Sequence, residues 1–238
     1  MERWLRAVAA GGQGYYASAH TELSALRRAQ PQGPLASLIL STQGSLLRQL
    51  GWHRHARGLD GRALASAGGD AEARIDALVG LAADALGMGR FAASAALLSR
   101  AEAALVAAEV TVPRLPVRLQ WVSAELAMAT GDGTAAVRHA ERGVELADSA
   151  GVSARHRTKS DVVLAAALCS SGALGPARRI ADSALGTTGD LGLIPLRWAL
   201  AALLDGIGSA SHTVQQVHEI KQNAADTVRR RGGNWCDG

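Results

Sequence analysis

Aromatic residues make up only 3% of the 238 residues, although apolar residues make up 48%. Alanine and leucine therefore carry the apolar content, and small side chains of that kind suit helices packed closely on helices. Alternating β-branched and aromatic residues, the mark of strands, are hard to find anywhere in the chain. There are two cysteines, Cys169 and Cys236, too far apart to form a disulfide framework, which makes a reducing cytoplasm the expected compartment. The first residues, Met1 to Arg6, carry charges where a signal peptide needs an unbroken apolar stretch. The longest apolar runs, Val162 to Cys169 and Trp198 to Leu204, fall far short of the roughly 20 residues that span a bilayer. Lysine is nearly absent, so arginine supplies the net charge of +4. No dense basic stripe interleaved with aromatics occurs, and nucleic acid is not the expected partner. The alanine- and arginine-rich, lysine-poor composition fits a bacterial source with a GC-rich genome.

Motifs that carry chemistry are also lacking. There is no G-x-S-x-G, P-loop or H-E-x-x-H, and the carboxylates are scattered over polar faces without an adjacent acid/base couple. No catalytic residue, cofactor or metal is expected. His53 and His55 form an H-x-H, but on a helix they point roughly 200° apart and cannot chelate one ion together. Two stretches, Gly87 to Ala92 and Gly131 to Ala136, match G-x-G-x-x-A. A dinucleotide fingerprint needs a strand before its glycines, whereas helical patterns precede both. Arg229 to Arg231 form a basic triplet that closes a helical pattern, where cations offset the negative end of the dipole.

What the sequence does contain is a recurring phrase. A glycine, followed five residues later by a small residue, opens Gly14 to Ala19, Gly51 to Ala56, Gly89 to Ser94, Gly131 to Ala136 and Gly172 to Ala177. The leading glycines lie 37, 38, 42 and 41 residues apart, a period that belongs to stacked repeats. An apolar helical pattern precedes each glycine and a second one follows it. In the second unit Leu35 to Leu50 is the first helix, Gly51 its stop, Trp52 to Ala67 the return helix, and Gly68-Gly69 the break. Thr111 to Pro116 reads as a long loop between units. Beyond Leu185 the phrase fades. Pro195 to Leu204 is a further apolar helix, Asp205 to Gly208 a turn, and Ser209 to Arg231 a final helix. Its stripe of Val214, Val217, Ile220, Ala224 and Val228 makes it a capping helix with one polar face. Residues 1–231 form the repeat domain and 232–238 a flexible tail.

The pattern resembles the tetratricopeptide repeat over about Arg3 to Leu185. The small residue seven before the turn glycine is Gly44, Ala82, Ala124 or Ala165. The one five after it is Ala19, Ala56, Ser94, Ala136 or Ala177. The one twelve after it is Ala63, Ala101, Gly143 or Ala184, with Leu26 in the first unit. The aromatic two after the glycine survives as Tyr16 and Phe91. The periods exceed the family's usual spacing of about 34 residues, and the proline at the repeat end is mostly replaced. The resemblance implies an all-α fold, a right-handed superhelical solenoid of helix–turn–helix repeats with a C-terminal capping helix.

It also implies a non-catalytic scaffold or adaptor that binds a protein partner in the groove lined by the first helices. Carried over, the groove slots are Ser41, Ser45, Arg48, Asp76, Val79, Arg118, Trp121, Glu125, Lys159, Val162 and Cys169. Arg48, Arg118, Trp121, Glu125 and Lys159 are the candidate partner-binding residues, and an acidic or aromatic-bearing peptide segment suits them. Two readings stay open for Trp121, an anchor facing the groove or a side chain packed between repeats. The alternative function is a regulatory module acting in transcription or on RNA, although no DNA-binding helix pair is found.

Overall fold

The computed structural model describes residues 1–108, 112–149 and 151–236. The described residues form helices joined by turns, with no strand among them. In chain order the helices are α1 (Glu2–Gly12), α2 (Tyr16–Arg28), α3 (Gly33–Arg48), α4 (His53–Ser66), α5 (Ala71–Gly87) and α6 (Phe91–Ala107). They continue as α7 (Arg114–Ala129), α8 (Gly133–Ser149), α9 (Ala154–Ser170), α10 (Leu174–Asp190), α11 (Ile194–Ile207) and α12 (Val214–Arg230).

All five leading glycines sit between the helices of a pair, with φ between +70° and +88°. L side chains avoid that region, so the residue type follows from the turn. The small-residue slots are packing slots. Ala19, Ala56, Ser94, Ala136 and Ala177 are fully buried. Gly44, Ala82, Ala124 and Ala165 are buried too, as are Ala63, Ala101, Gly143 and Ala184, while Leu26 is only half-buried. Of the two family aromatics, Tyr16 is buried and Phe91 is exposed. The two G-x-G-x-x-A stretches lie at the ends of α5 and α7, where they form repeat turns.

The chain divides into two compact units. The first gathers residues 1–11, 15–115 and the segment from Arg231 onward. In it α3 packs on α4, α4 on α5 and α5 on α6, and the first helices α3 and α5 also touch directly. Leu40, Ala63 and Ala77 form a buried cluster there, flanked by Leu59 and Leu64. The second unit gathers residues 12–14 and 116–230. Here α8 packs on α9, α9 on α10, α10 on α11 and α11 on α12, with α9 also touching α11. Its buried clusters run from Val117, Trp121 and Ala136 through Val163, and from Ala181 and Leu185 through Leu200, Leu204 and Val217. Contact between neighbouring helices within each unit, together with the α3–α5 and α9–α11 contacts between first helices, is the pairing expected of stacked repeats.

Four boundaries differ from the sequence reading. Arg114 to Pro116 begin α7 rather than end a loop, because proline is tolerated in a first turn whose N–H groups lack helical partners; Thr111 lies outside the described residues. The pattern Asp205 to Ile207 continues α11, and the turn comes at Gly208 with φ +83°. The last helix starts at Val214. Thr213 and Gln216 cap it reciprocally, Thr213 N–H donating to Gln216 Oε1 at 2.8 Å and Gln216 N–H to Thr213 Oγ1 at 3.2 Å. Val214, in that first turn, is 78% exposed and leaves the buried stripe to Val217, Ala224 and Val228. Finally, residues 232–236 of the expected tail are held against the first unit: Cys236 N–H donates to the Leu50 carbonyl at 2.8 Å. Asp237 and Gly238 lie outside the described residues.

Candidate partner-binding face

The candidate residues do not share one environment. On α7, Arg118, Trp121 and Glu125 fall at helical spacing on one stripe. On α9, His156, Lys159 and Ser160 form the facing stripe. Trp121 is buried, 9% exposed. Its indole N–H donates to the Ser160 hydroxyl at 2.9 Å, and that hydroxyl donates to the Gly143 carbonyl of α8 at 3.2 Å. The His156 ring stacks on the indole with centroids 5.5 Å apart. The two readings of Trp121 are thereby decided. A buried aromatic needs a partner for its one donor, Ser160 supplies it, and Trp121 is packed between helices instead of standing open as an anchor.

Around this floor the polar side chains reach outward. Lys159 Nζ lies 3.1 Å from Glu125 Oε1, with the two side chains 30% and 33% exposed. Arg118 is half-buried, about one helical turn before Trp121. Arg118, Glu125 and Lys159 are thus brought onto one face of α7 and α9. Cys169, also on α9, is half-buried with a free thiol. Midway along α9, burial raises the Asp161 pKa most, the Arg157 charge lowers it and Asp148 raises it.

Arg48 is elsewhere and has a different task. Its side chain is 14% exposed and turned into the first unit. It donates to Asp60 Oδ2 of α4 at 2.9 Å, to the Gly80 carbonyl of α5 at 3.1 Å, and to Asp84 Oδ1 of α5. Both aspartates are fully buried. Three contacts hold Arg48 Nη1 inside the unit, so the sequence assignment of Arg48 to a docking surface is corrected to an interior ion cluster. Of the other slots of that stretch, Ser41 and Val79 are buried, Ser45 is half-buried, and Asp76 pairs with Arg114 at 2.9 Å. In the second unit Val162 is buried too.

One guanidinium faces two carboxylates in this cluster. Burial raises the Asp84 pKa most; the Arg48 charge lowers it and the Asp60 charge raises it, with the result pushed up to about 7. Burial and the neighbouring Asp60 charge favour the protonated form of Asp84, which relieves the repulsion of two buried like charges. Sequence reasoning missed Asp60 and Asp84. The available signal was an aspartate inside the apolar run Leu81 to Leu86, one turn after a mid-helix glycine, Gly80.

Other suggestive groupings are structural. Ser209, His212 and Asp182 lie together, but the Ser209 hydroxyl donates to Asp182 Oδ1 at 2.5 Å and accepts from the His212 backbone N–H at 2.9 Å, while the His212 ring Nδ1 stands farther off at 3.5 Å. A nucleophile needs its proton drawn toward a base that is itself oriented by an acid; here the serine fastens the loop before α12. His53 and His55 have separate neighbours. The His53 ring fills the space beside Gly87 on α5, and His55 meets Trp52 edge-on at 5.3 Å. Of the arginine triplet, Arg229 pairs with Asp226 at 2.7 Å and Arg230 donates to Thr227 at 2.8 Å. No helix among the described residues is long and apolar enough to cross a membrane.

No family model matches the sequence, and no match was found among curated proteins. Solved structures do match. A chain from Podosopora anserina, described by its nearly identical TPR-like repeats, superposes with a TM-score of 0.53 at 17% identity. It covers 84% of this chain and 100% of that one. A single-residue variant of that same repeat protein gives a TM-score of 0.50 at 17% identity, covering 81% and 92%. At that identity the likeness concerns architecture, and it agrees with the glycine turns and buried small-residue slots: the chain has the tetratricopeptide-like helical-repeat fold.

Proposed function

We propose that this chain is a non-catalytic scaffold that binds a protein partner through the face of α7 and α9 bearing Arg118, Glu125 and Lys159, in the reducing cytoplasm. The observation that carries the reading is the Lys159–Glu125 pair. It joins successive first helices at 3.1 Å while a third of each side chain stays accessible. It stands over a rigid floor of Trp121, Ser160 and His156. Exposed pairs of this kind are worth little to stability, about 0–1 kcal/mol, so exchanging one carboxylate for another costs little. An acidic segment of a partner competes with Glu125 for Lys159, and Arg118 adds steering and register.

The test is affinity capture from the source cells with the full chain and with an Arg118→Glu, Lys159→Glu double variant. Both must give the same helical circular dichroism. A protein retained by the wild type and lost by the variant, identified by mass spectrometry, supports the face. Equal retention by both removes it. Nucleic acid retained in place of protein, and released steeply by salt, favours the regulatory alternative.

A further inference from the structure

The segment after α12 satisfies backbone groups that helices leave unpaired. The Ala17 N–H, in the first turn of α2, donates to the Arg231 carbonyl at 2.9 Å. The Leu50 carbonyl, just past the end of α3, accepts from Cys236 N–H at 2.8 Å. Such donors and acceptors have no partner within their own helices. Between these bonds, the Trp52 indole N–H donates to the Asn234 carbonyl at 2.8 Å. The Arg231 guanidinium lies 3.8 Å over the Tyr15 ring.

The fit is close at both ends. A Cβ on Gly232 would fall 2.9 Å from the Ala17 Cβ, and one on Gly51 would fall 3.2 Å from the Cys236 Cβ. Three main-chain groups of the segment are therefore read by main chain or by one indole, while Arg231 is read by an aromatic ring. That is how a peptide is recognised through its main chain: the backbone gives affinity and a few side chains give selectivity.

We propose that Tyr15, Ala17, Leu50, Gly51 and Trp52 form a peptide-docking site for a segment of the Arg-Gly-Gly-Asn-Trp-Cys type, turned at its first glycine, where Gly232 has φ +86°. The chain's own residues 231–236 occupy it in cis. An external segment of the same chemistry enters only when the resident one leaves, so its apparent affinity is divided by the fraction of molecules with an open site. Tethering gives the resident segment a high effective concentration and keeps that fraction small. The site is separate from the α7–α9 face and does not depend on it.

The test uses the full chain and a fluorescent synthetic peptide with the sequence of residues 229–236, in reducing buffer. A release variant combines Arg231→Ala, which removes the guanidinium from the Tyr15 ring, with Cys236→Pro, since proline has no N–H for the Leu50 carbonyl. The release variant is expected to bind the peptide at least about tenfold more tightly than the wild type. Adding Trp52→Phe, or separately Tyr15→Ala, should remove that gain. A scrambled peptide of the same composition should bind neither chain, and Arg118→Glu with Lys159→Glu should leave peptide binding unchanged. Equal binding by release variant and wild type overturns the proposal, as does equal binding of the scrambled peptide. If Trp52→Phe lowers the melting temperature, Tyr15→Ala decides, because Tyr15 is 41% exposed.

Discussion

The Asp60 carboxylate occupies the space that a side chain on Gly80 would fill: a Cβ there would fall 2.6 Å from the Asp60 Cγ. Glycine inside a helix ordinarily costs about 1 kcal/mol relative to alanine, and α5 carries that cost because α4 delivers a carboxylate to the position. Asp60 cannot retreat, since Arg48 holds it at 2.9 Å. Gly80→Ala should therefore lower stability by about 1–3 kcal/mol. Gly58→Ala, with nothing near its Cβ, should leave stability unchanged or raise it by up to about 1 kcal/mol. Thermal melts of the two variants make the comparison.

The same cluster should make stability depend on pH. The Asp84 pKa is raised from its ordinary 3.8 to about 7, so the folded chain holds a proton that the unfolded chain has lost. The stabilisation from this group is complete below about 3.8, declines as pH rises, and is gone above about 7. The limiting slope for one proton is about 1.4 kcal/mol per pH unit. Asp84→Asn, which stays neutral and retains a donor, should flatten the decline and leave the variant more stable than wild type at pH 8. Urea titrations at a series of pH values measure this. A wild-type profile rising between pH 5 and 8 would contradict it.

Trp121 should behave as a core residue. Trp121→Ala removes a buried indole, at a cost of about 3–5 kcal/mol. Ser160→Ala leaves the indole N–H without its acceptor, at about 1–3 kcal/mol. Chemical unfolding followed by circular dichroism gives both values, and a Trp121→Ala chain as stable as wild type would place the ring on the surface.

Ala136 tests the register of the repeat. It is fully buried on α8 within the cluster that includes Trp121 and Val163. Ala136→Leu should cost about 1–3 kcal/mol through overpacking. An exposed position on the same helix, such as Arg142→Leu, should change the melting temperature little.

The helix pairs and their turns are legible in the order of the amino acids, because those features are local. A left-handed turn needs glycine at Gly51 or Gly172 whatever surrounds it. A helix crossing at Ala56 or Ala177 excludes larger side chains in any stacked repeat. The roles of the polar and aromatic side chains come instead from packing between distant helices. Arg48 looks from sequence like one more groove cation, yet its partners are Asp60 on α4 and Asp84 on α5. Trp121 finds its acceptor 39 residues away in Ser160, and Trp52 finds Asn234 182 residues away. Helical periodicity specifies which residues share a face. It does not specify which distant donor, acceptor or charge the stacking brings to that face, and burial makes that pairing decisive.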